Sequence, residues 1–215
     1  MTARPPESSA QSALTGRRWS DERFRIAAAF FLSGAAALIY QVAWQRLLFI
    51  VVGVDIESVT IVVSTFMLGL GLGALIGGQI ADAIPHRILL VFCLFEASIG
   101  VFGLFSADLI LSLEHVFAHL SRPAAAALSF VLLLFPTICM GATLPMLVAD
   151  AFRESRNIGV STGTLYFINT VGGALGASAV GFVLFYWIDI RETVQAAAIL
   201  NFGASAVVGS IQLRR

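Results

Sequence analysis

The stretch "TFMLGLGLGALIGGQIADAIPHR", Thr65 to Arg87, decides the fold, because its glycine run admits two incompatible readings. A dinucleotide-binding turn needs G-x-G-x-x-G between a strand and a soluble helix. Here "GLGLGALIGG" lacks that spacing and lies within continuous apolar sequence. Gly69, Gly73 and Gly77 instead recur every four residues, which places them on one helix face and lets a neighbouring helix approach closely. The stretch is read as a membrane helix with a packing seam, closing on Asp82, Pro85 and the pair His86-Arg87.

Composition points the same way. Of 215 residues, 58% are hydrophobic and only 12% charged, with a mean hydropathy of +0.90. That is more apolar surface than a soluble domain of this size buries, so the expected class is an all-α integral membrane protein with the lipid bilayer as its first partner. The formal charge is zero and the basic residues, all arginine, form no patch, which gives no reason to expect a nucleic-acid partner. Cys93 and Cys139 lie in apolar segments without a second Cys or His at ligand spacing and read as small core residues. No cofactor motif is present, and none is expected to be bound.

Outward from the opening stretch, six segments are long enough to cross about 30 Å of hydrocarbon at 1.5 Å per residue. They run approximately over 25–51, 58–84, 87–107, 124–151, 158–188 and 193–213. Residues 1–22, rich in Pro, Ser and charge, read as a flexible tail ahead of a six-helix transmembrane domain over 23–215. The apolar run from Ile26 to Trp44 is too long for a removable signal core. One side of the membrane receives Arg17, Arg18, Arg23, Arg25, Arg87, Arg153, Arg156, Arg214 and Arg215. The other receives Asp55, Glu57, Asp108, Glu114, Asp189 and Glu192, with only Arg46, Arg122 and Arg191 as basic company. Cytoplasmic loops are enriched in Lys and Arg, so both termini are expected in the cytoplasm.

The fifth segment repeats the glycine device in "NTVGGALGASAVGF", with Gly172 and Gly176 four apart and Gly173, Ala177 and Gly181 in a second row. Both glycine runs follow a Ser-Thr pair, Ser64-Thr65 and Ser161-Thr162. Two related three-helix halves, with the second and fifth helices equivalent, account for this as well as ordinary selection for small residues in a tight bundle does. The end of the opening stretch adds a resemblance: Gly78, Asp82 and His86-Arg87 resemble the loop after the second helix of major facilitator transporters. At the cytoplasmic face Asp82 with Arg87, and Asp150 with Arg153 at the end of the fourth helix, are expected to lock helix ends together.

Three further stretches carry a narrower resemblance. "FLSGAAALIYQVAWQRLL" at Phe31–Leu48, "LLFPTICMGATLPMLVADAF" at Leu133–Phe152 and "STGTLYFINTVGGALGASAVGF" at Ser161–Phe182 resemble the membrane domain of bacterial spermidine synthase-like membrane proteins. The resemblance implies a major-facilitator-like six-helix half in a bacterial cytoplasmic membrane. In that family a soluble aminopropyltransferase-like domain commonly follows the helices. The catalytic parts of such a domain, a glycine-rich strand-to-helix turn and acidic polyamine-binding residues, have no counterpart in these 215 residues, so no catalytic residue is carried over.

The remaining candidates are polar groups deep in the apolar segments. Glu96 lies nine residues beyond Arg87, roughly 13 Å into the membrane at 1.5 Å per residue, and is expected to face the bundle interior. Gln41, Asn169 and Asn201 fall at similar depth, with Tyr40 and Tyr166 near them. Glu96, Gln41, Tyr40, Asn169 and Asn201 are therefore candidates for holding a small amine, against the alternative that they only bond one another and fix helix pairing. Arg46 and Trp44 read as interface anchors, Arg46 reaching water, Asp55 or Glu57. Pro136 and Pro145 are expected to kink the fourth helix and free carbonyls upstream. "ADLILSLEHVFAHLSRP" reads as a short amphipathic surface helix near 108–120, with Leu and Phe toward lipid; His115 and His119 do not make a metal set.

Three functions follow from these residues. The first is a non-catalytic membrane subunit that assembles with a separately encoded partner. The second is a small polyamine or organic-cation transporter or binding protein that pairs with itself. An intramembrane enzyme ranks last, because no nucleophile with its base is legible.

Overall fold

The structure is a computed structural model that describes residues 7–53, 55–155 and 157–213; for 7–20, 55 and 154–155 it describes the backbone alone. Arg156, Arg214 and Arg215, used above for orientation, lie outside the described residues, as do the side chains of Arg17 and Arg18. The chain is helical throughout: α1 Glu7–Val52, α2 Asp55–Ala83, a short 3-10 turn Pro85–Arg87, α3 Ile88–Ser112, α4 Glu114–His119, α5 Arg122–Ser155, α6 Ile158–Ala179, a π-helical segment Val180–Leu184, α7 Phe185–Trp187 and α8 Ile190–Gln212. Six stretches are long and apolar enough to cross a membrane: Asp21–Val52, Ile56–Ala83, Pro85–Ser112, Arg122–Arg153, Ile158–Trp187 and Ile190–Gln212.

Local chemistry sets the ends. α1 stops where Gly53 adopts φ 79°, the left-handed conformation that glycine supplies at a helix C-terminus, and its N–H returns to the Phe49 carbonyl at 2.9 Å. Asn157 caps α6 by accepting from the Val160 N–H. Asp189 and Glu192 form a reciprocal capping box that starts α8. Pro136 and Pro145 both lie inside α5, which continues across them, and the Thr137 hydroxyl donates to the Leu133 and Leu134 carbonyls beside the first.

Two boundaries differ from the sequence reading. The backbone is already helical from Glu7, so most of the stretch read as a tail continues into α1. The surface helix expected near 108–120 is shorter, because Leu109 and Ile110 extend the apolar run and carry α3 to Ser112. What remains, α4, turns Phe117 inward rather than toward lipid, while Glu114, His115 and His119 are exposed. The His119 ring meets the His115 carbonyl at 2.8 Å, and no metal-holding group of His, Cys, Asp or Glu exists among the described residues.

The bundle is built on two glycine seams. On α2, a Cβ at Gly73 would lie 2.8 Å from the Ala142 nitrogen of α5, and one at Gly77 2.7 Å from the Ala142 Cα; Gly69 sits against Thr137. Conversely, Gly141 of α5 lies against Leu70 of α2. On α6, Gly172 meets Phe31 and Gly176 meets Ala35 of α1, while Gly34 of α1 lies against Asn169 of α6. Gly181, in the π-helical segment, faces open space and is outside the seam. α8 completes the bundle by packing on both α3 and α1. At one end Arg122 of α5 pairs with Glu57 of α2 at 3.6 Å, and Arg191 of α8 with Asp108 of α3 at 3.0 Å.

Candidate functional site

Glu96 is fully buried where α1, α3 and α8 meet. The Ser33 hydroxyl of α1 donates to its Oε1 at 2.6 Å, and the Asn201 Nδ2 of α8 donates to its Oε2 at 2.7 Å. A carboxyl group in an apolar interior is costly unless its oxygens are bonded, and these two contacts supply a partner for each oxygen. Two atoms beside this arrangement lack partners among the described residues: the Asn201 Oδ1 and the Tyr40 hydroxyl, both buried.

The polar groups continue along the same interface. Seven residues beyond Ser33, Tyr40 places its hydroxyl against Gly103, seven beyond Glu96. Next, the Trp44 Nε1–H donates to the Ser106 Oγ at 2.9 Å. These contacts advance together, so α1 and α3 run in the same direction with a heptad-like register. Toward the other end Cys93 and Ser205 exchange bonds, Sγ to carbonyl at 3.3 Å and Oγ to carbonyl at 2.9 Å, and Arg25 donates to the Ser210 hydroxyl.

Of the five residues read as amine-binding candidates, the structure joins Glu96 and Asn201 directly and sets Tyr40 on the same interface. Asn169 goes elsewhere: its Nδ2 donates to the Phe30 carbonyl at 3.1 Å, tying α6 to α1. Gln41 is half-buried on α1, and Tyr166 is exposed. Ser33 escaped the sequence reading; its only signal is its place seven residues before Tyr40, and a lone serine in an apolar helix does not announce its partner.

The anchors and locks also differ from expectation. Trp44 is not at an interface; it is wholly buried, stacked on Tyr40 with ring centroids 4.8 Å apart and edge-on to Phe102 at 5.7 Å. Its N–H finds Ser106, which removes the need for a wet surface. Arg46 is exposed and lies over the Phe49 ring at 5.5 Å, while Glu57 is taken by Arg122. Asp82 and Arg87 are both exposed and form no ion pair with each other. Arg153 supplies one tie at this end: its guanidinium donates to the Pro85 carbonyl at 2.8 Å and links α5 to the turn after α2. Asp150 is buried, and with Arg23, Ser161, Thr164 and Leu165 it borders a crevice of about 400 Å³ between α1, α5 and α6.

Comparison with known proteins adds the polyamine connection. The chain is 26% identical over 208 residues to a polyamine aminopropyltransferase of Corynebacterium efficiens, covering 95% of this chain and 38% of that protein. It is 28% identical over 196 residues to polyamine aminopropyltransferase 1 of Streptomyces coelicolor, covering 90% and 35%. A polyamine aminopropyltransferase of Oceanobacillus iheyensis aligns at 21% over 171 residues, covering 80% and 32%. The chain thus spans about a third of the length of these curated relatives. No family model and no solved structure matches it.

Proposed function

We propose that this chain is a non-catalytic, multi-pass membrane module that works with a polyamine aminopropyltransferase-type catalytic unit and holds it at the bacterial cytoplasmic membrane. The observation that carries this reading is the alignment: nearly the whole chain matches a third of proteins named for aminopropyl transfer to polyamines. The fold supports the membrane part. Met67, Leu75, Phe105, Phe167, Leu175 and Phe182 are all exposed, an apolar girdle that suits lipid and would be a liability in water. The two glycine seams support a two-repeat reading: the second helix of each half packs on the first helix of the other, α2 on α5 and α6 on α1.

Fractionation tests the anchoring. In cells that produce the chain, aminopropyltransferase activity sediments with the membranes, and deleting the chain moves that activity to the soluble fraction. Activity distributed identically with and without the chain contradicts the proposal.

A second reading, a polyamine or organic-cation binding protein working as a homodimer, is favoured by one observation, the intramembrane carboxyl of Glu96. It requires Glu96→Gln to abolish amine binding or flux in reconstituted protein while the protein still accumulates in the membrane.

A further inference from the structure

We propose that Glu96 is a reversible proton-binding site inside the bundle, with the Asn201 amide as the group that reorients when the proton arrives or leaves. The inference needs only the six-helix bundle and is independent of any partner enzyme.

The geometry offers both states from one arrangement. With Glu96 as carboxylate, Ser33 donates to Oε1 and the Asn201 NH2 donates to Oε2. A primary amide is nearly symmetric in shape, so a half-turn of the Asn201 amide exchanges Nδ2 for Oδ1 at the same 2.7 Å contact. With Glu96 as carboxylic acid, its Oε2–H then donates to Oδ1. The Asn201 Oδ1, buried and without a partner in the carboxylate arrangement, is the acceptor that the second state uses. One proton is taken up from water and held on Oε2; no other covalent bond changes, and its release restores the first state.

The surroundings favour exchange of a proton over permanent charge. Ser33 on α1 and Asn201 on α8 bond the carboxyl, the titratable side chains that feel its charge are Tyr40 on α1, Cys93 on α3 and Cys139 on α5, and none of these groups is cationic. Among the described residues no guanidinium pairs with Glu96, so the charge of the carboxylate is offset by hydrogen bonds alone. Toward the end of the bundle where α8 finishes, Cys93 with Ser205 and Arg25 with Ser210 continue the polar interface. These groups lie between the site and the half-exposed Arg25 at that end of the bundle.

Infrared difference spectroscopy of the purified protein in lipid nanodiscs, acid against alkaline buffer, tests the assignment. The expected wild-type spectrum gains a carboxylic-acid carbonyl band in acid, at the expense of carboxylate bands, and the band shifts in heavy water. Glu96→Gln lacks that band, while Ser33→Ala and Asn201→Ala retain it at displaced frequencies, because each removes one bond to the same carboxyl. Superimposable spectra from wild type and Glu96→Gln overturn the proposal. Should Glu96→Gln fail to assemble, the other two variants decide alone: a carboxyl band that neither of them displaces also overturns it.

Discussion

At the scale of single residues, a few polar contacts tie α1, α3 and α8 together inside an apolar interior. Replacing Glu96 by Ala strands both the Ser33 hydroxyl and the Asn201 amide in an apolar interior. The expected loss is about 1 to 2 kcal/mol, since a buried polar group left unpaired costs about 1 to 3 but membrane hydrogen bonds are at the weak end. Thermal unfolding in detergent, with Glu96→Gln as the shape-matched control, checks it: Gln retains a carbonyl acceptor and loses less. Ser106→Ala is expected to cost about 1 kcal/mol by leaving the Trp44 N–H unpaired, and to cost nothing further once Trp44 is Phe. A double-mutant cycle on the same unfolding signal reads this directly. These residues were only partly legible beforehand. Glu96 and Asn201 stand out as polar letters in apolar runs, but which of them meet depends on the rotation of three helices about their axes, and a sequence does not state that rotation. For the same reason Ser33 carries no signal, and Trp44 reads as an interface anchor although it is buried.

At the scale of the helix, the seams decide stability. Gly73 and Gly176 sit against backbone, Gly73 of α2 on Ala142 of α5 and Gly176 of α6 on Ala35 of α1, so a larger side chain has no flexible neighbour to push aside. Gly73→Leu and Gly176→Leu are expected to destabilise by at least the roughly 1–3 kcal/mol typical of overpacking. Gly71 and Gly163 face open space on the same two helices, and Leu at either is expected to change stability by no more than about 0.5 kcal/mol. Comparing monodispersity and unfolding midpoints across these four variants separates the seam from the general effect of a larger residue. The four-residue spacing made both glycine faces legible, whereas the partner of each face was not, because several pairings of six helices satisfy the same spacing. The charged ends were harder still. Asp82 and Arg87 look complementary in sequence, yet both are exposed, and it is Arg153 reaching the Pro85 carbonyl that joins the two elements.

At the scale of the whole molecule, the proposal requires six crossings with both termini in the cytoplasm. Single cysteines placed at Glu57 and Glu192, in a background with Cys93 and Cys139 replaced by Ala, are expected to react with a membrane-impermeant thiol reagent added to intact spheroplasts. A cysteine at His86 is expected to react only after the cells are opened. The reverse pattern contradicts the orientation. Number and length of the apolar helices were legible because apolar run length is a one-dimensional property. Association with an enzyme is not such a property; it rests on relatives about two and a half times as long as this chain. The most direct test of that central claim is the mass and composition of the complex purified from its own membranes in mild detergent through a tag on this chain. The expected result is a stoichiometric component, held together with this chain, that transfers aminopropyl groups to a diamine. A lone monomer or homodimer, free of that activity, would contradict it.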